Sequence, residues 1–206
     1  MNKTREVKFH SLFSTPIWME TLDFDTDEIY EECLRRKELG EGREISNVGG
    51  WQSNDLVPPD PFFEPFINQV VSSANAFADH ISIKEVELSN IWINVNGPRD
   101  YNLRHDHGRS VFSGVFYPKP PKNSGSINFY HPISNIVSRE WKEAIKDFTP
   151  ETSQRWWYEP EDNLLILFPG FTEHEVGPNL SDSDRISISF NFNMKADAPR
   201  TLITVK

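Results

Sequence analysis

One cysteine, a shortage of basic residues and the lack of any long apolar run bound what this 206-residue sequence can encode. Cys33 alone allows no internal disulfide, a usage that fits a reducing compartment. Its acidic neighbours Asp27, Glu31 and Glu32 disfavour a thiolate, so it is a poor nucleophile. Lys and Arg number 21 against 31 Asp and Glu, a formal charge of −10 that repels phosphate backbones and disfavours nucleic acid as a partner. The basic triplet Arg35-Arg36-Lys37 falls in the last turns of a predicted helix, where cations suit the helix dipole. Nothing approaches the length of a membrane span, and MNKTREVKFHSLFS at the N-terminus has no apolar signal core. The expectation is a cytoplasmic protein without a membrane partner.

What is present points to one globular domain over residues 1–206. Apolar residues make up 37% and charged residues 25%, an ordinary balance for a packed soluble chain. An aromatic share of 13% with 15 prolines favours a sheet-rich, loop-rich fold over a helix bundle. Residues 1–84 read as N-terminal strands and supporting helices, and residues 85–206 as the β core. Short strands are expected around Pro16. Thr26–Leu39 reads as a helix capped by Asp25 or Thr26 and stopped at Gly40. Residues 62–80 place Phe63, Phe66, Ile67, Val70, Val71, Ala74 and Phe77 at spacings of three and four, an amphipathic helix packed on a sheet. Between these helices, Trp51 beside Gly49-Gly50 reads as a buried pin of a polar loop. From Glu85 the pattern turns to period two, with strands over 85–96, 105–117, 125–131, 163–168 and 185–194 and a short helix over Ser138–Asp147. Two early helices followed by many strands suggest a mainly β (α+β) sandwich or barrel with helices on one outer face.

Two of these strands have polar faces of unusual composition. Ile91, Ile93 and Val95 oppose Trp92, Asn94 and Asn96, while Ile186, Ile188, Phe190 and Phe192 oppose Arg185, Ser187, Ser189 and Asn191. Solvated faces usually carry Lys, Glu and Thr. Short neutral Asn and Ser side chains with one Arg suit the wall of a wet cavity, so the apolar faces are expected to meet the helices and the polar faces to line a pocket.

His105 and His107 begin the expected strand 105–117. Residues two apart on a strand share a face with Cα atoms about 6.6 Å apart, close enough to share a metal. An H-x-H pair alone is weak evidence. It gains weight from His174, which follows a buried run and a Pro-Gly turn, and from Arg185 at the head of RISISFNFN. Three histidines and a cation beside one cavity have a joint explanation: a metal held by three side chains, and an arginine holding the far carboxylate of a chelating diacid.

H-x-H, SGVFYP, LLILFPG, H174-x-V-x-P and RISISFN, in this order, resemble the 2-oxoglutarate/Fe(II)-dependent oxygenases, in particular a bacterial and phage branch related to prolyl hydroxylases. FSTPIW and GGWQS are similar to that branch as well. The resemblance covers most of the chain and is strongest over residues 90–194. It implies a double-stranded β-helix, a jelly-roll or cupin-like barrel, with Fe(II) as cofactor and 2-oxoglutarate and O2 as cosubstrates. It implies His105 and His174 as iron ligands and Arg185 as the salt bridge to the 2-oxoglutarate C5 carboxylate. Ser187, Tyr117, Asn94 and Asn96 are expected as further cosubstrate contacts. The wider superfamily carries H-x-D where this chain carries His107, so the site is expected to be three imidazoles. If the strand bulges at His105-Asp106, Asp106 is the alternative ligand. No catalytic residue beyond the metal site is expected.

The activity implied is a hydroxylase coupling 2-oxoglutarate decarboxylation to oxidation of a C–H bond in a peptide, protein or small-molecule substrate. Two rivals remain at this point. One is a zinc hydrolase using the three histidines with Glu173 or Glu175 as base, although a neighbour on an extended run points away from the metal. The other is a non-catalytic jelly-roll binding module. Asp100 and Arg99 read as a lid over the site or as a solvated turn.

Overall fold

The computed structural model describes residues 6–56, 60–133, 141 and 143–195. Helix α1 spans Thr26–Leu39, and the Asp25 carboxylate caps it by accepting the amides of Asp27 and Glu28 at 3.1 and 3.2 Å. Gly40 follows in extended conformation, with φ −149°, so the helix ends without a left-handed cap. Helix α2 spans Glu64–His80 with a proline in its first turn. It turns Phe66, Val70, Ala74 and Phe77 inward, as their spacing requires.

The described strands are β1 (Trp18–Thr21), β2 (Asn47–Val48), β3 (Trp51–Gln52), β4 (Val86–Asn96), β5 (Tyr101–His105), β6 (Phe112–Tyr117), β7 (Ile127–Tyr130), β8 (Arg155–Tyr158), β9 (Leu164–Pro169), β10 (His174–Val176) and β11 (Arg185–Met194). They form two antiparallel sheets, ordered β1-β9-β6-β11-β4-β3 and β2-β5-β10-β7-β8. This is the double-stranded β-helix arrangement. Gly49 and Gly50, with φ 65° and 64°, carry the chain from the edge of one sheet to the edge of the other, a turn closed to most side chains. Trp51 is the pin expected: it packs on the core, and its indole N–H donates to the Gly40 carbonyl at 2.8 Å.

Two cores hold these layers. Between the helices and the larger sheet, Phe66, Val70 and Phe77 meet Ile91, Ile93, Phe112, Phe116, Ile188 and Phe190. Between the sheets, Val115, Tyr117, Ile166 and Phe168 meet Ile127 and Phe129. β9 is apolar at every position because it is buried on both faces, feeding Leu165 and Leu167 to the first core and Leu164, Ile166 and Phe168 to the second. Cys33 is fully buried in the first core, where burial pushes its thiol pKa up.

Four elements differ from expectation. Of the run expected as one strand over 105–117, only Phe112–Tyr117 is β6; His105 ends β5, and between them lies a turn in which the Ser110 amide donates to the His107 carbonyl at 2.7 Å. Only Trp18–Thr21 of the segment around Pro16 is a strand, and β8 had no period-two signal strong enough to reveal it. The short helix expected over Ser138–Asp147 lies largely outside the described residues, and 143–147 are turns and bends.

Gly114 illustrates how tightly the first core is built. A Cβ there meets Phe190 at 2.4 Å, Leu167 at 2.7 Å and the Ile166 carbonyl at 2.8 Å. Gly114→Ala is expected to destabilise the protein by about 1–3 kcal/mol, the usual cost of overpacking. An unchanged urea midpoint contradicts this account of the packing.

Candidate metal centre

The inner face of the larger sheet is apolar on one side and polar on the other. β6 and β9 contribute Val115, Ile166 and Phe168 to the inter-sheet core. β4 and β11 contribute Trp92, Asn94, Asn96, Arg185, Ser187 and Ser189, with Arg185 opposite Asn96 and Ser187 opposite Asn94 in the strand register. The polar faces read from sequence therefore do line a cavity, whose walls include Trp92, Asn94, Ser187 and Ser189.

The three histidines complete that cavity from the smaller sheet. His105 ends β5 and His174 begins β10, directly opposite it in the antiparallel register. His107 stands on the turn beyond β5, where its backbone N–H donates to the Gly170 carbonyl at 2.8 Å. Gly170 permits this approach: a Cβ on it falls 2.3 Å from the Ser110 carbonyl oxygen. The ring centroids lie 4.4 Å (His105–His174), 5.0 Å (His105–His107) and 5.2 Å (His107–His174) apart. One ring nitrogen from each lies within 4.8 Å of the others.

His105 and His174 are oriented by the same device. The Nδ1 of His105 lies 2.6 Å from the Leu103 carbonyl and that of His174 lies 2.9 Å from the Thr172 carbonyl, in each case two residues back. A carbonyl can only accept, so each Nδ1 carries the proton and each Nε2 keeps its lone pair. Burial is the main cause that lowers the His174 pKa to about 3 and the His107 pKa to about 4, with the charge on His105 a smaller one in both. Both imidazoles are therefore neutral ligands at neutral pH. Asp106 lies outside the cluster, with its Oδ1 accepting the Gly108 amide at 3.0 Å. Glu173 pairs with Arg104, and Glu175 lies 3.6 Å from Arg155, so both are engaged with other side chains.

Arg185 is 1% exposed and has no carboxylate partner within salt-bridge distance among the described residues. Its Nη1 donates to the carbonyls of Ser124 and, at 2.9 Å, Gly177, while Nε and Nη2 are buried without a partner. Burial lowers its pKa, while Tyr117 and Asp100 act in the opposite sense. The Tyr117 hydroxyl and the side-chain oxygens of Asn94 and Asn96 are also buried and unpartnered. Burial raises the Tyr117 pKa to about 12 against the opposing field of Arg185, so the phenol stays protonated.

Some of the supporting residues carry no sequence signal. Gly125, at φ +92°, lets the 124–125 turn close on Arg185, because a Cβ there falls 2.3 Å from the Gly177 carbonyl and 2.8 Å from Arg185 Nη1. Asn179, fully buried, donates through Nδ2 to the carbonyls of Asn96 at 2.9 Å and Ser183 at 2.7 Å, tying the end of β4 to the approach of β11. Its backbone also pairs with Arg99 and Asp100, while the Asp100 carboxylate accepts the Gly97 amide at 2.8 Å. That turn is pinned at three points, with Pro98 and Arg99 exposed.

A family profile described as "Putative 2OG-Fe(II) oxygenase" matches residues 90–191, the stretch that carries all three histidines and Arg185. No curated protein sequence matches the chain. Among solved structures, a prolyl-4-hydroxylase from Pseudomonas putida is 16% identical, with a TM-score of 0.62 over 89% of this chain and 95% of that one. A viral collagen prolyl hydroxylase from Paramecium Bursaria Chlorella virus-1 is 11% identical, with a TM-score of 0.58 over 87% and 96%. HygX from Streptomyces hygroscopicus is 9% identical, with a TM-score of 0.59 over 88% and 84%. These likenesses establish the shared fold. The profile match places residues 90–191 of the chain among the 2-oxoglutarate/Fe(II) oxygenases.

Proposed function

We propose that this oxygenase is a hydroxylase in which His105, His107 and His174 hold Fe(II) and Arg185 holds the distal carboxylate of 2-oxoglutarate. The observation that carries this reading is the buried, unpaired guanidinium. Burying a cation is costly unless an anion or full hydrogen bonding compensates it, and two nitrogens of Arg185, Nε and Nη2, have neither. A carboxylate accepts from both donors at once in the fork geometry that arginine provides. Tyr117, Asn94, Asn96 and Ser187 line the same strand faces and supply the remaining polar contacts.

The three imidazoles fit a borderline metal such as Fe(II), and the two Nδ1–carbonyl bonds hold two of them with Nε2 available. Bound iron supplies the oxidising chemistry, which converts 2-oxoglutarate, O2 and a substrate C–H into succinate, CO2 and the alcohol. The chain's own residues orient the cosubstrate, neutralise its far charge and keep water from its buried end. Prolyl hydroxylases among the fold relatives make a peptide residue one candidate substrate, and a small molecule is the other. The hydrolase reading is weaker, because Glu173 and Glu175 are engaged elsewhere and no carboxylate joins the histidine cluster among the described residues.

Anaerobic addition of Fe(II) and then 2-oxoglutarate is expected to give a visible charge-transfer band that His174→Ala abolishes. Arg185→Ala should weaken 2-oxoglutarate binding about tenfold to a hundredfold while Fe(II) binding persists, the loss expected for hydrogen bonds to a charged group. Arg185→Lys should restore little of it, because an ammonium offers no fork. Undiminished 2-oxoglutarate affinity in Arg185→Ala removes the role assigned to that residue.

Acid should act on the metal-free protein through His107 and His174. An unfolded imidazole titrates near 6.5, and the folded values are about 4 and about 3. Below about pH 6.5 the unfolded chain therefore binds more protons than the folded one. Their contribution to stability is complete above that pH and declines toward pH 4. Urea midpoints between pH 7 and 4 should fall with a shallower slope in His107→Ala; identical slopes refute the link.

A further inference from the structure

Beside the triad, on the side away from Arg185, lies a second and larger cavity of about 390 Å³. We infer that it is the primary-substrate site and takes an uncharged ligand presenting an amide edge, an inference that rests on the oxygenase reading of the triad. Gln52 carries the argument. It is 3% exposed, lines this cavity, and its carboxamide makes no hydrogen bond with any described residue. Arg43, in the same wall, has a buried Nε without a partner.

The charges of the wall are largely spent. Arg43 Nη2 is 2.5 Å from Asp55, and Arg104 pairs with Glu173 while lying 3.8 Å over the Tyr130 ring. The neighbouring amides are linked in a row: Ser113 donates to Asn191 at 2.6 Å and Asn191 to Asn90 at 3.0 Å. A carboxamide such as Gln52 offers donors and an acceptor side by side. An amide in the ligand satisfies both, and its oxygen has a second lone pair for Arg43 Nε. A carboxylate brings acceptors only and sets an anion against the Gln52 oxygen. An ammonium brings donors only and leaves Arg43 Nε and the Gln52 N–H groups unmet, although Asp106 at the rim favours it. Trp92 lines both cavities, with its ring centroid 6.1 Å from that of His107. The apolar part of such a ligand, lying on Trp92, is thereby placed beside the triad.

The test uses the protein loaded with Zn(II) and 2-oxoglutarate, with saturation-transfer NMR of benzamide, benzoate and benzylamine, which share a ring and differ in the polar group. Benzamide is expected to bind at least about tenfold more tightly than the other two, the size of one or two good hydrogen bonds. Gln52→Leu should erase that preference, and the nearly isosteric Gln52→Glu should shift it toward benzylamine. N-acetylglycinamide in parallel separates sources: binding as tight as benzamide points to a peptide, weaker binding to an aromatic amide. Benzoate or benzylamine binding as tightly as benzamide overturns the inference, as does benzamide binding unchanged in both Gln52 variants. The 2-oxoglutarate affinity of the same samples reports separately on the oxygenase reading.

Discussion

A guanidinium buried to 1% exposure with no carboxylate beside it among the described residues is the constraint around which the inner face of this protein is arranged. Desolvating a cation costs several kcal/mol, so each compensating contact has structural consequences. Nη1 is met by backbone carbonyls, which requires the 124–125 and 177 turns to converge on one point. That convergence leaves no room for a side chain at Gly125. Asn179 holds the two strand ends that present Arg185 and Asn96 to one another. The other two nitrogens, Nε and Nη2, are left open, and the polar half of the cavity faces the same interior.

What the sequence made legible follows from periodicity. Alternation over 86–96 and 185–194 identified both strands and both faces, because each strand separates an apolar core from a polar cavity. The spacing of Phe66, Val70, Ala74 and Phe77 identified α2 for the same reason. His105, His107, His174 and Arg185 were found because unusual residue types stand at the heads of such runs. Less visible was whatever depends on backbone approach. His107 stands on a turn rather than on a strand, and its place is set by the Gly170 carbonyl, a contact that no local pattern encodes. Gly125 and Asn179 look like ordinary loop residues until the turns they hold are seen. Gln52 lies in a two-residue strand too short for any alternation to declare its face.

The proposed donor set differs in charge from the H-x-D pattern of the wider superfamily that the sequence resembles. His107 and His174 are held neutral by burial, and the nearby Asp106 is turned aside to cap its own loop. A metal held here keeps more of its positive charge than one held by a carboxylate. In a chain whose net charge is −10, Arg185 is the one buried Lys, Arg, Asp or Glu among the described residues.

The alternation along β11 has a consequence for how such a protein can change over generations. Ile188 and Phe190 pack into the core beneath the helices, whereas Ser187 and Ser189 line the cavity on the opposite face of the strand. Replacing a serine by another short polar residue alters what the pocket accepts without disturbing the packing that keeps the sheet in place. Selection can thus act on specificity and on stability through different letters of one strand. The same separation is consistent with one architecture being kept in solved structures that are only 9% to 16% identical to this chain.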